Sequence, residues 1–339
     1  MSRKKHILII GIFIEVLIGI FIYKILSQSH RLFEKQKITF KQNLSYIHGF
    51  LLVKDSLFGL TNTSPAKLVK ISTKNLSKYQ IISFPNDGRH DNGTELTYIN
   101  NKLYLVFGGH GSYVSELQPD NLIYKDLWSS DKDYSDPVIN LPSMTSDGKY
   151  LYVISSTKPT YIHKINLKNF YDITTISLKE ALNYGHSIRF DKGFLYATGE
   201  QDNGWISKIN PSDLKYHESI FNNDVSTPTD DFAVTNKYIF TCFENKSGII
   251  YRTDKENLFV NKINTGIFAP CFGLYFDGNN IWAVYDTSPG QLVGINPDTL
   301  KVSRYDLTES HPSEILSLKD SLFITFWESP AKIMRVKVQ

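Results

Sequence analysis

The chain of 339 residues is 41% hydrophobic and 13% aromatic, with 20 Tyr and 21 Phe, which excludes a disordered polypeptide and fits a β-rich globular one. A formal charge of +3 is too small to mark a nucleic-acid-binding protein. Two cysteines, Cys242 and Cys271, cannot staple a domain of this size, so apolar burial has to hold it together.

The chain opens on a segment unlike the rest. Residues 7–26 form one apolar run, long enough to cross a bilayer as a helix. Arg3, Lys4 and Lys5 precede it and place residues 1–6 in the cytoplasm. No small-x-small cleavage site follows, so the run reads as an uncleaved transmembrane signal anchor whose partner is the lipid bilayer. Glu15 lies mid-span, at an insertion cost of roughly 2–3 kcal/mol. Either the surrounding apolar residues outweigh it or it meets a partner helix. Residues 27–36 read as a stalk, and residues 37–339 as a folded domain outside the cytoplasm, at a cell surface or in a periplasm.

Lys37-Ile-Thr-Phe-Lys41 is a strand-like piece with no hairpin partner beside it. A repeating region follows. Lys54-Asp-Ser-Leu-Phe leads after five residues into Ser64-Pro-Ala-Lys67, and Lys319-Asp-Ser-Leu-Phe leads at the same spacing into Ser329-Pro-Ala-Lys332. Five further copies lie between these two. Each has a strand opening on Leu or Ile and an aromatic: Leu57-Phe58, Leu103-Tyr104, Leu151-Tyr152, Leu195-Tyr196, Ile239-Phe240, Ile281-Trp282 and Leu322-Phe323. About ten residues later comes a strand of alternating character, such as Ile162-His-Lys-Ile165 or Ile333-Met-Arg-Val336. Asp191-Lys-Gly193 and Asp277-Gly-Asn-Asn280 supply turns before the aromatic strand. Asn210-Pro-Ser-Asp213 and Asn296-Pro-Asp-Thr299 supply turns after the alternating one.

Four strands per unit at a period of roughly 41–48 residues describe an all-β, seven-bladed β-propeller of four-stranded antiparallel blades. Blades are expected near 45–88, 92–128, 140–178, 184–220, 228–264, 269–307 and 312–339. The seventh stops after its third strand. The spare piece at about 37–41 is expected to complete it, closing the ring and removing two open edges. Cys242 and Cys271 fall near the same end of neighbouring repeats, so a single bridge between them is open to the chain.

Residues 150–178 and 281–307 resemble the YVTN-type, NHL-like repeats of bacterial seven-bladed surface and periplasmic propellers. A Tyr152-Val153 strand leads to an apolar strand, and in the second segment an Asn-Pro-Asp-Thr-Leu turn ends at Leu300. Ile154-Ser155 stands where the family's Thr-Asn would follow. The resemblance implies the fold and little about activity, since such propellers include binders, chaperone-like scaffolds and a few enzymes.

Loops that join second to third strands, and fourth strands to the next blade, share one face of a propeller, here called the top. The starts of blades place His48, Glu95, His186, Asp231 and Glu314 there, and the second-to-third loops add His110, Asp202, Trp205, Glu244, Asp286 and Trp327. The opposite, bottom turns carry Lys54, Lys74, Lys102, Lys149, Lys168, Lys192, Lys215, Lys237, Lys255, Lys301 and Lys319, with aspartates between them. These lysines either blunt strand edges or face lipid. The closing strand runs from bottom to top, so the stalk enters from below and the acidic mouth points away from the bilayer.

Two functions fit this layout. One is a binding or scaffold module that presents its mouth to a protein, peptide or glycan, with Trp205 and Trp327 as anchors if they are exposed rather than packed between blades. The other is a metal-dependent hydrolase or lyase. Glu95, His186, Asp231 and Glu314 would then hold a divalent cation such as Ca²⁺ at the axis, an arrangement similar in position to gluconolactonase-type propellers. Gly108-Gly-His-Gly-Ser112 fits no nucleophile elbow. Phosphate-loop, Cys-x-x-Cys and His-Glu-x-x-His motifs do not occur, which argues against nucleotide and zinc chemistry.

Overall fold

The computed structural model describes residues 32–41, 44–108, 111–129, 140–179, 182–200, 204–220, 228–243 and 248–338, with backbone alone at 32, 35, 219–220, 228–231 and 338. The expected membrane span lies outside them. Among the described residues no helix is long and apolar enough to cross a membrane.

Those residues form 28 strands in seven four-stranded antiparallel sheets. In blades 1 to 6 (residues 47–83, 93–129, 143–177, 185–220, 228–264 and 271–306) the strands follow sequence order from axis to rim. The inner strands pack side by side around the axis, that of blade 7 against that of blade 1, so the ring is closed. Buried apolar residues fall into seven clusters, one at each blade interface. The core therefore lies between the sheets, where the aromatic of each second strand is inserted.

Blade 7 is completed by the N-terminal strand. Leu32–Thr39 lies antiparallel to Lys332–Val338, with Leu32 opposite Val338 and Thr39 opposite Lys332. The pairing begins earlier than the expected 37–41, so residues 32–36 of the expected stalk belong to the sheet. An outermost strand faces solvent and needs no apolar alternation, which is why Glu34, Lys35 and Gln36 did not read as strand. Ile38 and Phe40 fill the space between blades 7 and 1, against Leu57, Val69, Phe323 and Ile333. Gln36 bonds the side chain of Asn75 (3.1 Å) and the Leu76 N–H (3.2 Å) in blade 1. On the other flank Glu309 receives Lys37 (2.6 Å) and Lys332 (2.7 Å). Burial raises the Glu309 carboxyl, but the two ammonium groups outweigh it and hold the group below its ordinary value.

A second device links blades in series. The cation of the third strand reaches a carbonyl in the bottom turn of the following blade: Lys70 to Pro119 (2.7 Å), Lys164 to Pro211 (2.5 Å), Lys208 to Lys255 (2.8 Å), Arg252 to Pro297 (3.4 Å) and Arg335 to Thr73 (3.4 Å). Each lies over an aromatic of its own blade, 4.3–5.8 Å from the ring centre. Hydrogen bonds from a charged donor are worth about 1.5–3 kcal/mol each. Blade 2 carries Glu116 at this position, neutralised by Lys102 at 2.9 Å. Blade 6 carries Gly294, where a Cβ would stand 2.7 Å from the Trp282 ring. A disulfide joins Cys242 in blade 5 to Cys271 in blade 6, with Cα atoms 5.8 Å apart.

Two outcomes are expected in denaturation. Phe40→Ala removes the largest buried apolar group of the closing segment and should cost about 3–5 kcal/mol in urea unfolding. Cys242→Ser with Cys271→Ser opens a closed loop of 29 residues. On the chain-entropy account, that change lowers stability by about 3–4 kcal/mol.

Candidate functional site

The inner strands of all seven blades line an axial channel with a cavity of 370 Å³. In six of them the register shifts near the start, between Ile47 and Gly49, Gly93 and Glu95, Gly185 and Ser187, Pro228 and Phe232, Cys271 and Gly273, and Pro312 and Ile315. A bulge turns its extra residue out of the ladder. His48 and His186 are such residues, and both line a second cavity of 260 Å³ at the top, with Asn62, Asn92, Asn140 and Ser156.

Backbone latches set this mouth. A residue just after a second strand donates its N–H to one just before an inner strand: Asn62 to Tyr46, Gly108 to Asn92, Ser156 to Asn140, Glu200 to Tyr184, Asp286 to Pro270 and Trp327 to His311, at 2.8–3.0 Å. Tyr46, Asn92, Tyr184 and His311 turn the chain with φ between 47° and 56°, a left-handed conformation that costs most side chains roughly 1–2 kcal/mol. The second-to-third loops are internally bonded as well. Thr63 bonds Thr61 (2.7 Å) and the Pro65 carbonyl (2.9 Å), and Thr157 repeats the pattern with Ser155 and Pro159, both at 2.7 Å.

The sequence-derived candidates separate into groups. Glu95, Glu314 and His48 line the channel. The His48 Nδ1 lies 3.0 Å from the Thr94 carbonyl, and its ring meets Trp327 edge-on at 5.7 Å. Trp327 is 43% exposed and pairs with Tyr46 at 5.4 Å, forming an aromatic shelf beside the pocket. His186 faces Glu200, at 3.4 Å. Asp286 sits outside the mouth, 2.6 Å from His311. His110, Asp202 and Glu244 lie outside the described residues, as does the side chain of Asp231.

Trp205 is not a mouth residue. It is fully buried between blades 3 and 4, donates its indole N–H to the Asn183 carbonyl (2.9 Å), and needs Gly199 beneath it, where a Cβ would stand 2.2 Å from the ring. An indole of that size opposite a glycine fills a core space that no exposed loop residue could.

Arg189 was missed by sequence reasoning. It holds the inner-strand position that carries Leu51, Thr97, Thr145, Ala233, Tyr275 and Leu316 in the other blades, and alignment of the inner strands would have singled it out as their one cation. Its guanidinium donates to Glu95 (3.1 Å), which also accepts from Ser143 (3.3 Å), while the Ser143 hydroxyl accepts from the Ile188 N–H (3.3 Å). One polar chain thus ties blades 2, 3 and 4 across the channel wall. It puts a positive group beside Glu95, where the metal reading requires a cation. Among the described residues no three His, Cys, Asp or Glu side chains are grouped to hold a metal. Glu95, His186 and Glu314 are thus not gathered as a metal site, and the side chain of the fourth candidate, Asp231, lies outside the described residues.

His90, also unanticipated, anchors the loop that carries Asn92. It is buried, stacks on Phe84 at 5.5 Å, and faces Asp87 (3.2 Å) and Asp126 (2.8 Å) through its two nitrogens. Burial raises the Asp87 carboxyl, but the Arg89 N–H and guanidinium and the His90 ring outweigh it and hold it at about 2.

No family model matches the chain, and no curated protein sequence matches it. Solved structures do. The WD40 domain of Neurospora crassa Pan2 superposes with a TM-score of 0.69 at 10% identity, over 91% of this chain and 96% of that one. The computationally designed Ika8 protein gives 0.62 at 10% identity, over 88% and 98%. The extracellular domain of the putative one component system BT4673 from B. thetaiotaomicron gives 0.64 at 14% identity, over 89% of this chain and 40% of that one. At these identities the likeness is one of fold, and the chain is a seven-bladed β-propeller.

The Asp87 cluster has a defined pH signature. A carboxyl whose folded value is depressed adds stability above its unfolded value and loses it as pH falls through the folded one. The urea-midpoint difference between the native chain and Asp87→Asn is expected to be constant above pH about 4 and to shrink towards zero near pH about 2.

Proposed function

We propose that this chain is a membrane-tethered, extracytoplasmic binding module of the YVTN-repeat, NHL-like kind, which recognises a protein, peptide or glycan through its top face. The observation that carries the reading is the exposed Tyr46–Trp327 shelf beside a pocket of amide and imidazole groups. Aromatic anchors next to directional hydrogen-bonding groups are the usual makings of a recognition site. The internally bonded loops support it, because rigid loops lose little entropy on binding. So does strain at Tyr46 and Tyr184, since left-handed residues held by their surroundings cluster at functional positions. A disulfide agrees with an oxidising compartment. The apolar run at 7–26 supplies the tether.

Crosslinking in intact cells tests the reading. Adducts captured by the native chain and lost with Trp327→Ala, at unchanged melting temperature, are the expected result. For an isolated partner the same change should weaken affinity by about 2 kcal/mol, roughly thirtyfold. Identical adducts from both proteins would discard the top face as the recognition surface.

A further inference from the structure

Among the described residues the bottom face exposes five large apolar side chains. Phe33 opens the closing strand, Ile123 and Phe259 tip the third-to-fourth turns of blades 2 and 5, Tyr171 stands at the base of the blade 3 outer strand, and Phe194 follows a turn of blade 4. Tyr171 is 92% exposed, Ile123 65% and Phe259 63%. They come from five different blades, one side chain from each.

Much of the acidic charge on this face is already held by neighbouring groups. Asp147 accepts from the N–H groups of Lys149 and Tyr150, Asp254 from those of Glu256 and Asn257, and Asp277 from those of Asn279 and Asn280, all at 2.7–3.2 Å. Asp191 bonds Lys255, which is buried and so leaves the set of bottom-face lysines expected to meet lipid. Asp55, Asp213 and Asp320 pair with Lys74, Lys215 and Lys337 at 2.9, 3.6 and 2.7 Å. Many of these aspartates are held inside turns or paired, while Lys54, Lys149, Lys168, Lys237, Lys301 and Lys319 are exposed, with Asp120, Asp172, Glu256 and Asp298 among the counter-charge.

Chain length brings this face to a bilayer. The apolar run ends at Leu26 and the closing strand begins at Leu32, on the bottom. The five residues between span at most about 18 Å. Resting on the tether reading above, we propose that the bottom face lies on an anionic lipid surface. Ile123, Tyr171 and Phe259 enter the headgroup layer, and the exposed lysines meet lipid phosphate and carboxylate. Aromatic side chains favour that layer, and a lysine close to it gains about 1 kcal/mol.

The test uses the full chain in nanodiscs of brominated phosphatidylcholine, with and without phosphatidylserine. Because Cys242 and Cys271 are bridged, a fluorophore can be placed through Phe259→Cys on the bottom or Phe268→Cys in the top loop before blade 6. Several-fold stronger quenching at 259 than at 268, greater with phosphatidylserine and reduced by Lys149→Glu with Lys168→Glu and Lys237→Glu, is the expected result. Equal quenching at both positions, or none at 259 while the chain floats with the discs, overturns the lipid face and leaves the tether standing. Shielding of 259 that requires an added protein also overturns it, in favour of a protein partner. A chain that does not float with the discs removes tether and lipid face together.

Discussion

The antiparallel pairing of Leu32–Thr39 with Lys332–Val338 is the constraint on which the rest of the molecule depends. A toroid of sheets has no hydrophobic centre of its own. Its stability lies in seven equivalent interfaces, and an interface between the last blade and the first forms only if the ends are held together. The closing strand does this with apolar burial at Ile38 and Phe40 and with polar contacts on both flanks. It also decides direction. Because the outer strand of each blade climbs towards the top, Leu32 of the closing strand and Val338 of its partner both lie at the bottom.

The mouth inherits its order from that frame. Bulges turn His48 and His186 out of the inner strands, and the latches hold Asn62, Asn92 and Asn140 at the rim of one pocket. The groups presented are amides, imidazoles and aromatic faces, which recognise shape and hydrogen-bonding pattern. Glu95, one of the carboxylates that line the channel, is committed to Arg189 and Ser143 and so helps to join blades 2, 3 and 4.

How much of this was legible in the sequence follows from the range of the forces involved. Blade number, strand positions and closure were readable because each repeat is written locally, in an aromatic second strand, an alternating third strand and Asn-Pro or Asp-Gly turns. The start of the closing strand was not, because an edge strand such as Glu34 to Gln36 carries no core pattern. At the mouth, His48, Glu95 and Glu314 were placed near the axis by position within the blade alone. Trp205 stayed open between mouth and core, since a tryptophan after a loop looks the same whether it faces solvent or folds back over a glycine six residues earlier. Arg189 and Glu95 lie 94 residues apart, and nothing local announces that they meet.

Gly294 carries a last consequence. In five blades the third-strand cation reaches forward to a turn of the next blade, but blade 7 has no such turn, because its third and fourth strands come from opposite termini. Blade 6, the one that would have reached for it, has a glycine instead, and Trp282 covers the space. Five of the modules are thus addressed to their successors, and the units are not interchangeable. A circular permutant cut in the lower turn of blade 2, 4, 5 or 6 would strand a lysine or arginine at the new break and leave the old one without a clasp. The order of modules is recorded along their lower edge.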